Sequence, residues 1–285
     1  MSFTADSESE LFTLLKEKMS GKSVNNIKSI LTRKQVYVDG KPVSQYNFIV
    51  NKGSNVLIKG KASEKSPACK LKIIYEDDEI IVINKPHGLL TVATEKEKDK
   101  TAYHFVMNYI KADNPNNRIF IVHRLDKDTS GVVMFAKNPE IKEAFQDNWS
   151  DLVKEREYIA VVEGKMEKNE GKIESYLTET KTHLVYSTNN KIDGKLAITN
   201  YKVLNKNDEY SLLQVSIDTG RKNQIRAHMK ELGHPVAGDK KYSAETNPFN
   251  RMALHCSKLV LLHPITHQEM SFAAAPDARF YSMFK

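Results

Sequence analysis

One aspartate lies in a loop that could present it as a reactive group. The segment VHRLDKDTSGVVMFAKN spans residues 122–138, and Asp126 stands between two apolar runs. A connection held between strands can present a side chain on a rigid scaffold. Thr129 and Ser130 can hydrogen-bond the loop backbone, and Gly131 can end it. Because aspartate in such a turn is usually a cap, the loop alone leaves a structural and a catalytic role open.

A second segment could supply cations to a carboxylate or another anion. In IDTGRKNQIRAHMKELGHP, residues 217–235, the spacing of Ile225, Met229 and Leu232 predicts a helix that faces the core and ends near Gly233. The polar side chains off this stripe are Arg221, Gln224, Arg226 and His228. A helix N-terminus with arginines is typical of an anion or carboxylate receptor. A solvated basic face is the alternative interpretation.

Other reaction classes are disfavoured by what the chain offers. Asp126 and Asp128 are two apart in an extended loop, so they share a side and leave no space for a sugar between two carboxylates. The histidines form no HxxxH pattern and pair with no cysteine at metal-ligand spacing. We therefore expect no metal and no nucleotide cofactor, and a sugar or nucleoside hydrolase is disfavoured.

The elements around these segments predict an α+β domain over residues 70–285. Strands and helices occur without regular alternation, which disfavours a doubly wound sheet. Predicted strands flank an acidic turn in LKIIYEDDEIIVIN and recur at 118–122, 131–136, 158–163 and 211–219. Predicted helices span 103–110 and 138–152.

A smaller unit, residues 8–60, precedes this domain. Apolar spacing predicts a helix over 9–19 and a second from an N-cap at Ser23 through Leu31. Asp39-Gly40 predicts a tight hairpin, and 48–50 and 55–59 are further strand-like segments. Residues 61–69, KASEKSPAC, are polar and aperiodic, which is typical of a linker.

Charge is concentrated in the small unit. The 285 residues carry a net charge of +7, and residues 11–60, with nine basic and two acidic side chains, have the same net charge of +7. This excess favours an anionic partner, nucleic acid first. No apolar run approaches the roughly 20 residues of a membrane span, two cysteines exclude a disulfide framework, and the polar opening MSFTADSESE is no leader. We expect a cytoplasmic monomer.

Together these segments resemble the RluA-like family of RNA pseudouridine synthases over nearly all of residues 70–285. The resemblance is carried by four segments, a loop and three flanking stretches: IIYEDDEIIVINKPHGLL, HRLDKDTSGVVMFAK, REYIAVVEG and TGRKNQIRAHMKELGHPVAGDKKY. It implies a mixed, largely antiparallel sheet and isomerisation of uridine to pseudouridine without a cofactor. Two positions depart from the family: Asn223 stands where His is common, and Arg156 where Lys is common.

The resemblance also assigns roles. Asp126 matches the catalytic aspartate, Arg226 the arginine that pairs with it, and Tyr158 the active-site tyrosine that stacks on uracil and helps remove the carbon-5 proton. Arg124 matches the residue that fills the gap of a flipped base. Arg221 and Gln224 are expected to contact phosphate or to position Arg226, and Lys85 is a candidate phosphate contact.

Residues 11–59 resemble the small RNA-binding domain first known from a small-subunit ribosomal protein, the S-four-type domain. The central segment is SVNNIKSILTRKQVYVDGKPV, in which Lys34-Gln35 replaces the usual glycine before the first strand. Members dock on structured RNA through basic side chains, here Lys28, Arg33 and Lys34.

The resemblance implies an RNA substrate, with large-subunit ribosomal RNA expected and transfer RNA as the alternative. The rival interpretation is a non-catalytic RNA-binding protein or ribosome assembly factor. Asp126 separates the two interpretations, because a binding-only relative has no need of it.

Overall fold

The chain divides into two compact units, Met1–Cys69 and Lys70–Lys285. The computed structural model describes residues 2–19, 24–32, 35–58 and 71–285. The predicted N-cap at Ser23, the basic residues Arg33 and Lys34, and the predicted linker 61–69 lie outside the described residues.

The first unit packs two helices and short strands around an aliphatic core. The helices are α1 (Leu11–Lys18) and α2 (Val24–Thr32), and the strands are β1 (Ser2–Thr4), β2 (Ser9–Glu10), β3 (Val36–Val38), β4 (Lys41–Val43), β5 (Ile49–Val50) and β6 (Asn55–Ile58). The sheet order is β1-β6-β3-β4, and β2 pairs with β5. Asp39 and Gly40 have φ of 49° and 81°, as a two-residue hairpin turn requires, so the predicted hairpin is confirmed.

The second unit is built on one eleven-stranded sheet. Its strands are β7 (Lys72–Glu76), β8 (Ile80–Lys85), β9 (Phe120–Ile121), β10 (Ser130–Ala136), β11 (Val153–Glu163), β12 (Glu170–Glu179), β13 (Val185–Thr188), β14 (Lys195–Lys206), β15 (Tyr210–Ile217), β16 (Leu254–Leu262) and β17 (Glu269–Ala273). The order is β13-β12-β14-β15-β11-β16-β10-β8-β7, with β17 on β16 and β9 on β10. Among the described strands only β10 and β16 pair in parallel, which confirms the predicted α+β fold with a largely antiparallel sheet.

Helices cover this sheet and connect its strands. They are α3 (Ala102–Asp113), α4 (Pro139–Asp147), α5 (Trp149–Leu152), α6 (Gln224–Glu231), α7 (Arg279–Ser282) and a 3-10 turn at Lys240–Tyr242. The single helix predicted over 138–152 is wrong, because the chain leaves the helical region at Asn148, with φ of −123°. The strand predicted at 118–122 is only the two residues of β9. None of the helices in the described part of the chain is long and apolar enough to cross a membrane.

Helix α6 packs one apolar edge on the sheet. Ile225 and Met229 are buried as predicted, whereas Leu232 is 38% exposed. Leu232 follows the last helical residue, and Gly233 turns the chain with φ of 82°. The core-facing prediction for Leu232 is therefore wrong.

Strands β10 and β16 meet at an unusually close approach. Ser130 is opposite His255 and Gly131 is opposite Cys256. Gly131 has φ of 116°, and a Cβ there would lie 2.1 Å from the carbonyl oxygen of Cys256. Glycine is required at this position. The approach brings the loop of Asp126 against β16 and, through it, β11.

Candidate active site

Asp126 and Arg226 form an ion pair at the centre of the second unit. Arg226 Nη1 donates to Asp126 Oδ2 at 3.1 Å, although 100 residues separate the two in sequence. The Asp126 side chain is 26% exposed and that of Arg226 is 10% exposed. Among the described residues, no group donates to the other carboxylate oxygen, Asp126 Oδ1. The pairing expected from the resemblance is present, and the partly exposed carboxylate keeps one oxygen without a donor among the described residues.

A second carboxylate, which the sequence analysis missed, holds Arg226 in place. Asp239 accepts from Arg226 Nε at 2.6 Å and from Nη2 at 2.8 Å, a bidentate arrangement in a buried setting. Asn223 Oδ1 accepts from Nη1 at 3.1 Å, and the guanidinium lies 4.9 Å from the centre of the Tyr242 ring. Burial acts to lower the pKa of Arg226, but the hydrogen bonds and charges of the two aspartates outweigh it and raise that pKa. Arg226 therefore stays charged and cannot rotate away from Asp126.

Asn223 suits its place at the start of α6. Its φ is 52°, in the left-handed region that asparagine tolerates better than most residues. The amide then reaches Arg226, one turn along the helix. The substitution of Asn for the family's common His thus retains a hydrogen-bonding side chain that fits this backbone.

The loop that carries Asp126 is anchored on both sides. Thr91 Oγ1 donates to the Leu125 carbonyl at 2.7 Å and accepts from the Leu125 amide at 3.2 Å. Before it, His123 Nε2 accepts from the Met134 amide at 3.0 Å, and burial lowers the pKa of His123 to about 4. A neutral imidazole therefore serves as a fixed acceptor here.

After Asp126, a series of hydrogen bonds between side chains holds the loop in place. Arg251 Nη2 donates to Ser130 Oγ at 2.6 Å, and Ser130 Oγ lies 2.8 Å from His255 Nδ1. His255 Nε2 faces the Ala274 carbonyl at 2.9 Å, so Nε2 carries the proton and Nδ1 accepts from the serine. Burial lowers the pKa of His255 to about 4, which keeps this arrangement neutral.

Lys85 does not contact phosphate, contrary to the sequence prediction. Its side chain is fully buried, and Nζ donates to the carbonyls of Pro86, Leu89 and Lys127 at 3.0, 2.7 and 3.1 Å. Three acceptors use its three N–H groups, so no donor remains for RNA. Burial lowers the pKa of Lys85 to about 7. Lys85 instead links the carbonyl of Lys127, the residue after Asp126, to the turn that follows β8.

Tyr158 lies on β11, directly opposite Cys256 of β16. The ring is buried. Burial raises the pKa of Tyr158 well above its usual value, so the phenol is protonated at neutral pH. This favours stacking over proton removal as its part in a reaction.

A cavity of about 560 Å³ joins these residues. Asp126, Tyr158, Arg226 and the exposed Arg124 all line it, together with Trp149 and Arg156. The cavity lining thus includes a carboxylate, the rings of Tyr158 and Trp149, and three guanidinium groups besides Arg226. Its size fits a flipped nucleotide.

Gln224 and Arg221 are occupied within the protein. Gln224 is buried; its Nε2 donates to Ile198 O and Thr199 Oγ1, and its Oε1 accepts from Thr219 and the Arg221 amide. Arg221 is exposed, with Nε on the Leu196 carbonyl at 2.9 Å. For Gln224 the structure favours the positioning role over phosphate contact, because no donor is left over.

Two remaining groups of candidate residues lie outside the cavity. Lys28 is exposed on α2 of the first unit. Within the described residues, Asp77, Glu79 and His263 could together ligate a metal ion. Asp77 Oδ1, however, already accepts the amides of Glu79 and Ile80 and so closes the β7–β8 turn.

Comparison with known proteins identifies the family. The family model described as RNA pseudouridylate synthase matches residues 79–231. Ribosomal large subunit pseudouridine synthase D of Yersinia pestis is 31% identical over 271 residues, covering 89% of this chain and 83% of that protein. tRNA pseudouridine synthase C of Haemophilus ducreyi is 34% identical over 234 residues, covering 75% and 95%. The solved structure of human RNA Pseudouridylate Synthase Domain Containing 4 superposes with a TM-score of 0.61 at 21% identity, covering 74% of this chain and 90% of that one.

Proposed function

The chain belongs to the RNA pseudouridylate synthase family and is an RNA pseudouridine synthase, and from this premise we propose that it modifies specific uridines of large-subunit ribosomal RNA with Asp126 as the catalytic carboxylate. The observation that carries the assignment is the asymmetric setting of Asp126. One oxygen is held on Arg226, the other accepts no hydrogen bond from the described residues, and Asp126 lines the cavity. The interpretation as a non-catalytic assembly factor is set aside, because the family is one of isomerases.

The reaction needs one ionised carboxylate. Asp126 either attacks C1′ of the ribose or removes a ribose proton so that the base is eliminated. In both routes the C1′–N1 bond breaks and its electron pair stays on uracil. The base then turns and C5 bonds to C1′; in the first route the bond from C1′ to Asp126 breaks at this step, and in the second the removed proton returns to the ribose. The C5 proton then leaves. Arg226 holds one oxygen of Asp126 in place through these steps.

Tyr158 and Arg124 act on the base and on the RNA around it. The buried ring of Tyr158 offers a flat surface on which the flipped uracil stacks. Arg124 is exposed at the cavity mouth, two residues before Asp126, where it can occupy the gap that the base leaves. Flipping costs a few kcal/mol, which contacts with the rest of the RNA must offset.

The first unit supports large-subunit ribosomal RNA over transfer RNA. Lys70–Lys285 makes up 216 of 285 residues, or 76% of the chain. Similarity to the relative named for the ribosomal large subunit covers 89%, so it extends into the first unit. Similarity to the relative named for tRNA covers 75%, no more than the second unit alone supplies. We propose that residues 8–60 are an S-four-type RNA-docking domain, with Lys28 among its contacts.

Tritium release from RNA labelled at uracil C5 tests the catalytic assignment. Total RNA is taken from cells that lack the gene and is treated with the wild type, Asp126→Asn or Asp128→Asn. Asp128 is the matched control, because it is an exposed aspartate of the same loop. We expect release by the wild type and Asp128→Asn only. Equal release by Asp126→Asn would contradict the assignment.

Mapping identifies the RNA. Carbodiimide-dependent reverse-transcription stops, compared between cells with and without the gene, should locate the lost pseudouridine in large-subunit ribosomal RNA. A stop in transfer RNA instead would establish the alternative substrate. Deleting residues 1–60 should weaken RNA binding and flatten its dependence on salt. An unchanged salt slope would contradict the docking role.

A further inference from the structure

Arg156 is a half-buried cation at the cavity wall, and among the described residues no carboxylate lies within 4 Å of its guanidinium. Nη2 donates to the Ile217 carbonyl at 3.3 Å, and no other hydrogen bond from Arg156 to the described residues is present. Guanidinium carries five N–H donors, so most of them remain available. A partly desolvated charge without a counter-ion among these residues favours an anionic or strongly polar ligand.

Two neighbours flank this guanidinium at the cavity wall. It lies 5.8 Å from the centre of the Trp149 ring, which is itself packed 5.4 Å from His123. On the other side, a Cβ at Gly220 would be only 2.6 Å from Arg156 Nη1. The glycine of the TGR segment thus leaves room for the charge. Burial lowers the pKa of Arg156, but a guanidinium remains charged at any physiological pH.

Arg156 and Tyr158 face the same way on β11. Residues two apart on a strand share a face and lie about 7 Å apart, and both side chains line the cavity with Asp126. A uracil stacked on Tyr158 therefore has an edge within reach of the Arg156 donors. Arg226 has at most one N–H for that edge, because Asp239, Asn223 and Asp126 use four of its five N–H groups.

We propose that Arg156 donates to a carbonyl oxygen of the target uracil and stabilises the negative charge that the base acquires when its bond to ribose breaks. The proposal rests on the proposed use of Asp126 and Tyr158. The electron pair of the broken C1′–N1 bond is delocalised onto the uracil oxygens, and Arg156 stabilises this negative charge by donating a hydrogen bond to one of them. The base loses this negative charge when its C5 bonds to C1′. A preorganised donor at such a place typically contributes about 10²- to 10³-fold in rate.

Single-turnover kinetics with Arg156→Gln test this role. The substrate is a synthetic RNA with uridine, or 5-fluorouridine, at the mapped position, and conversion is followed by nuclease digestion and liquid chromatography. With uridine we expect the rate constant to fall about 100-fold, while the RNA dissociation constant changes less than threefold. Fluorine stabilises the uracil anion by electron withdrawal. The deficit of Arg156→Gln should therefore shrink at least fivefold with 5-fluorouridine.

Arg156→Lys keeps a cation and should recover most of the rate. Arg118→Gln is the matched control, because Arg118 is an exposed arginine of the same unit outside the cavity. If Arg156→Gln unfolds, Arg156→Lys alone is compared on the two substrates, and its smaller deficit must also shrink with 5-fluorouridine. An unchanged rate, an equal deficit on both bases, or a loss confined to RNA affinity would overturn the proposal. Failure of the proposed function is distinct, because Asp126→Asn would then react like the wild type.

Discussion

Replacing Asp239 by asparagine should disable the enzyme without touching its substrate. Asparagine has the same shape but turns an N–H donor towards Arg226, where a carboxylate oxygen now accepts. The bidentate pair is lost, and Arg226 is free to swing towards Asp126. The carboxylate of Asp126 then loses its fixed direction.

The expected loss of folding free energy follows from the burial of the Asp239–Arg226 pair and from the contacts that Arg226 keeps. Breaking one partner of a buried pair costs about 3–5 kcal/mol. Asp126 and Asn223 still contact Arg226, which places the expected loss near the lower end, about 3 kcal/mol. For a unit of this size, about 3 kcal/mol lowers Tm by roughly 6–12 °C. A displacement of about 1 Å at the reacting group can cost roughly 100-fold in rate.

Thermal unfolding, tritium release and RNA binding would be measured on the same preparations, well below the lowered Tm. We expect Asp239→Asn to lose about 100-fold in rate and to keep its RNA affinity within threefold. Asp208→Asn is the control, because its ion pair with Lys165 is exposed and should leave Tm and rate unchanged. A full rate and a wild-type Tm in Asp239→Asn would refute the idea that Asp239 orients the pair.

Three other changes have defined outcomes. Gly131→Ala should lower the free energy of unfolding by about 3 kcal/mol or more, because its Cβ would overlap the backbone of Cys256. Gly233→Ala has open space around it and should lower that free energy by only about 1–2 kcal/mol. Urea titration compares the two variants. The folded pKa of His255 is about 4, below the ordinary 6.5, so its contribution to stability is lost as pH falls from 6.5 towards 4. Between pH 7 and pH 5 we expect His255 to account for a loss of about 2 kcal/mol, and His255→Gln should reduce the total loss by that amount in urea titrations at the two pH values; the part that remains includes His123, whose folded pKa is also about 4. Tyr158→Phe keeps the ring and should retain tritium release within tenfold, whereas Tyr158→Leu should lose most of it; a total loss in Tyr158→Phe would restore the proton-transfer role.

Local sequence patterns predicted local features of the structure, such as single turns, strands and buried helix positions. The β3–β4 hairpin follows from Asp39-Gly40, and the buried β8 follows from its apolar run. Local periodicity placed Ile225 and Met229 in the core but failed at Leu232, where Gly233 redirects the chain. The break at Asn148 left no mark in the apolar pattern of 138–152. The eleven-stranded order depends on pairings between distant segments, which periodicity cannot specify.

The candidate site, too, was predicted from the sequence only in part. The Asp126–Arg226 pair was expected only through the family resemblance, because nothing local connects residues 100 apart. Asp239 was missed although it follows Gly238 in a quoted segment, since a lone acidic residue in a loop usually faces water. Lys85 was misplaced for the related reason that lysine is rarely buried. A buried charge is recognisable only when its partner is known.

The parallel contact between β10 and β16 has a consequence for how activity arises during folding. The paired residues of β10 and β8 are about 50 residues apart in sequence, whereas Ser130 of β10 and His255 of β16 are 125 residues apart. Closing so large a loop is slow, and the β8–β10 antiparallel pair can form earlier. The loop of Asp126 is not anchored on its far side until β10 pairs with β16. Enzyme activity recovered during refolding should therefore lag behind the return of circular dichroism, because it requires this long-range pairing.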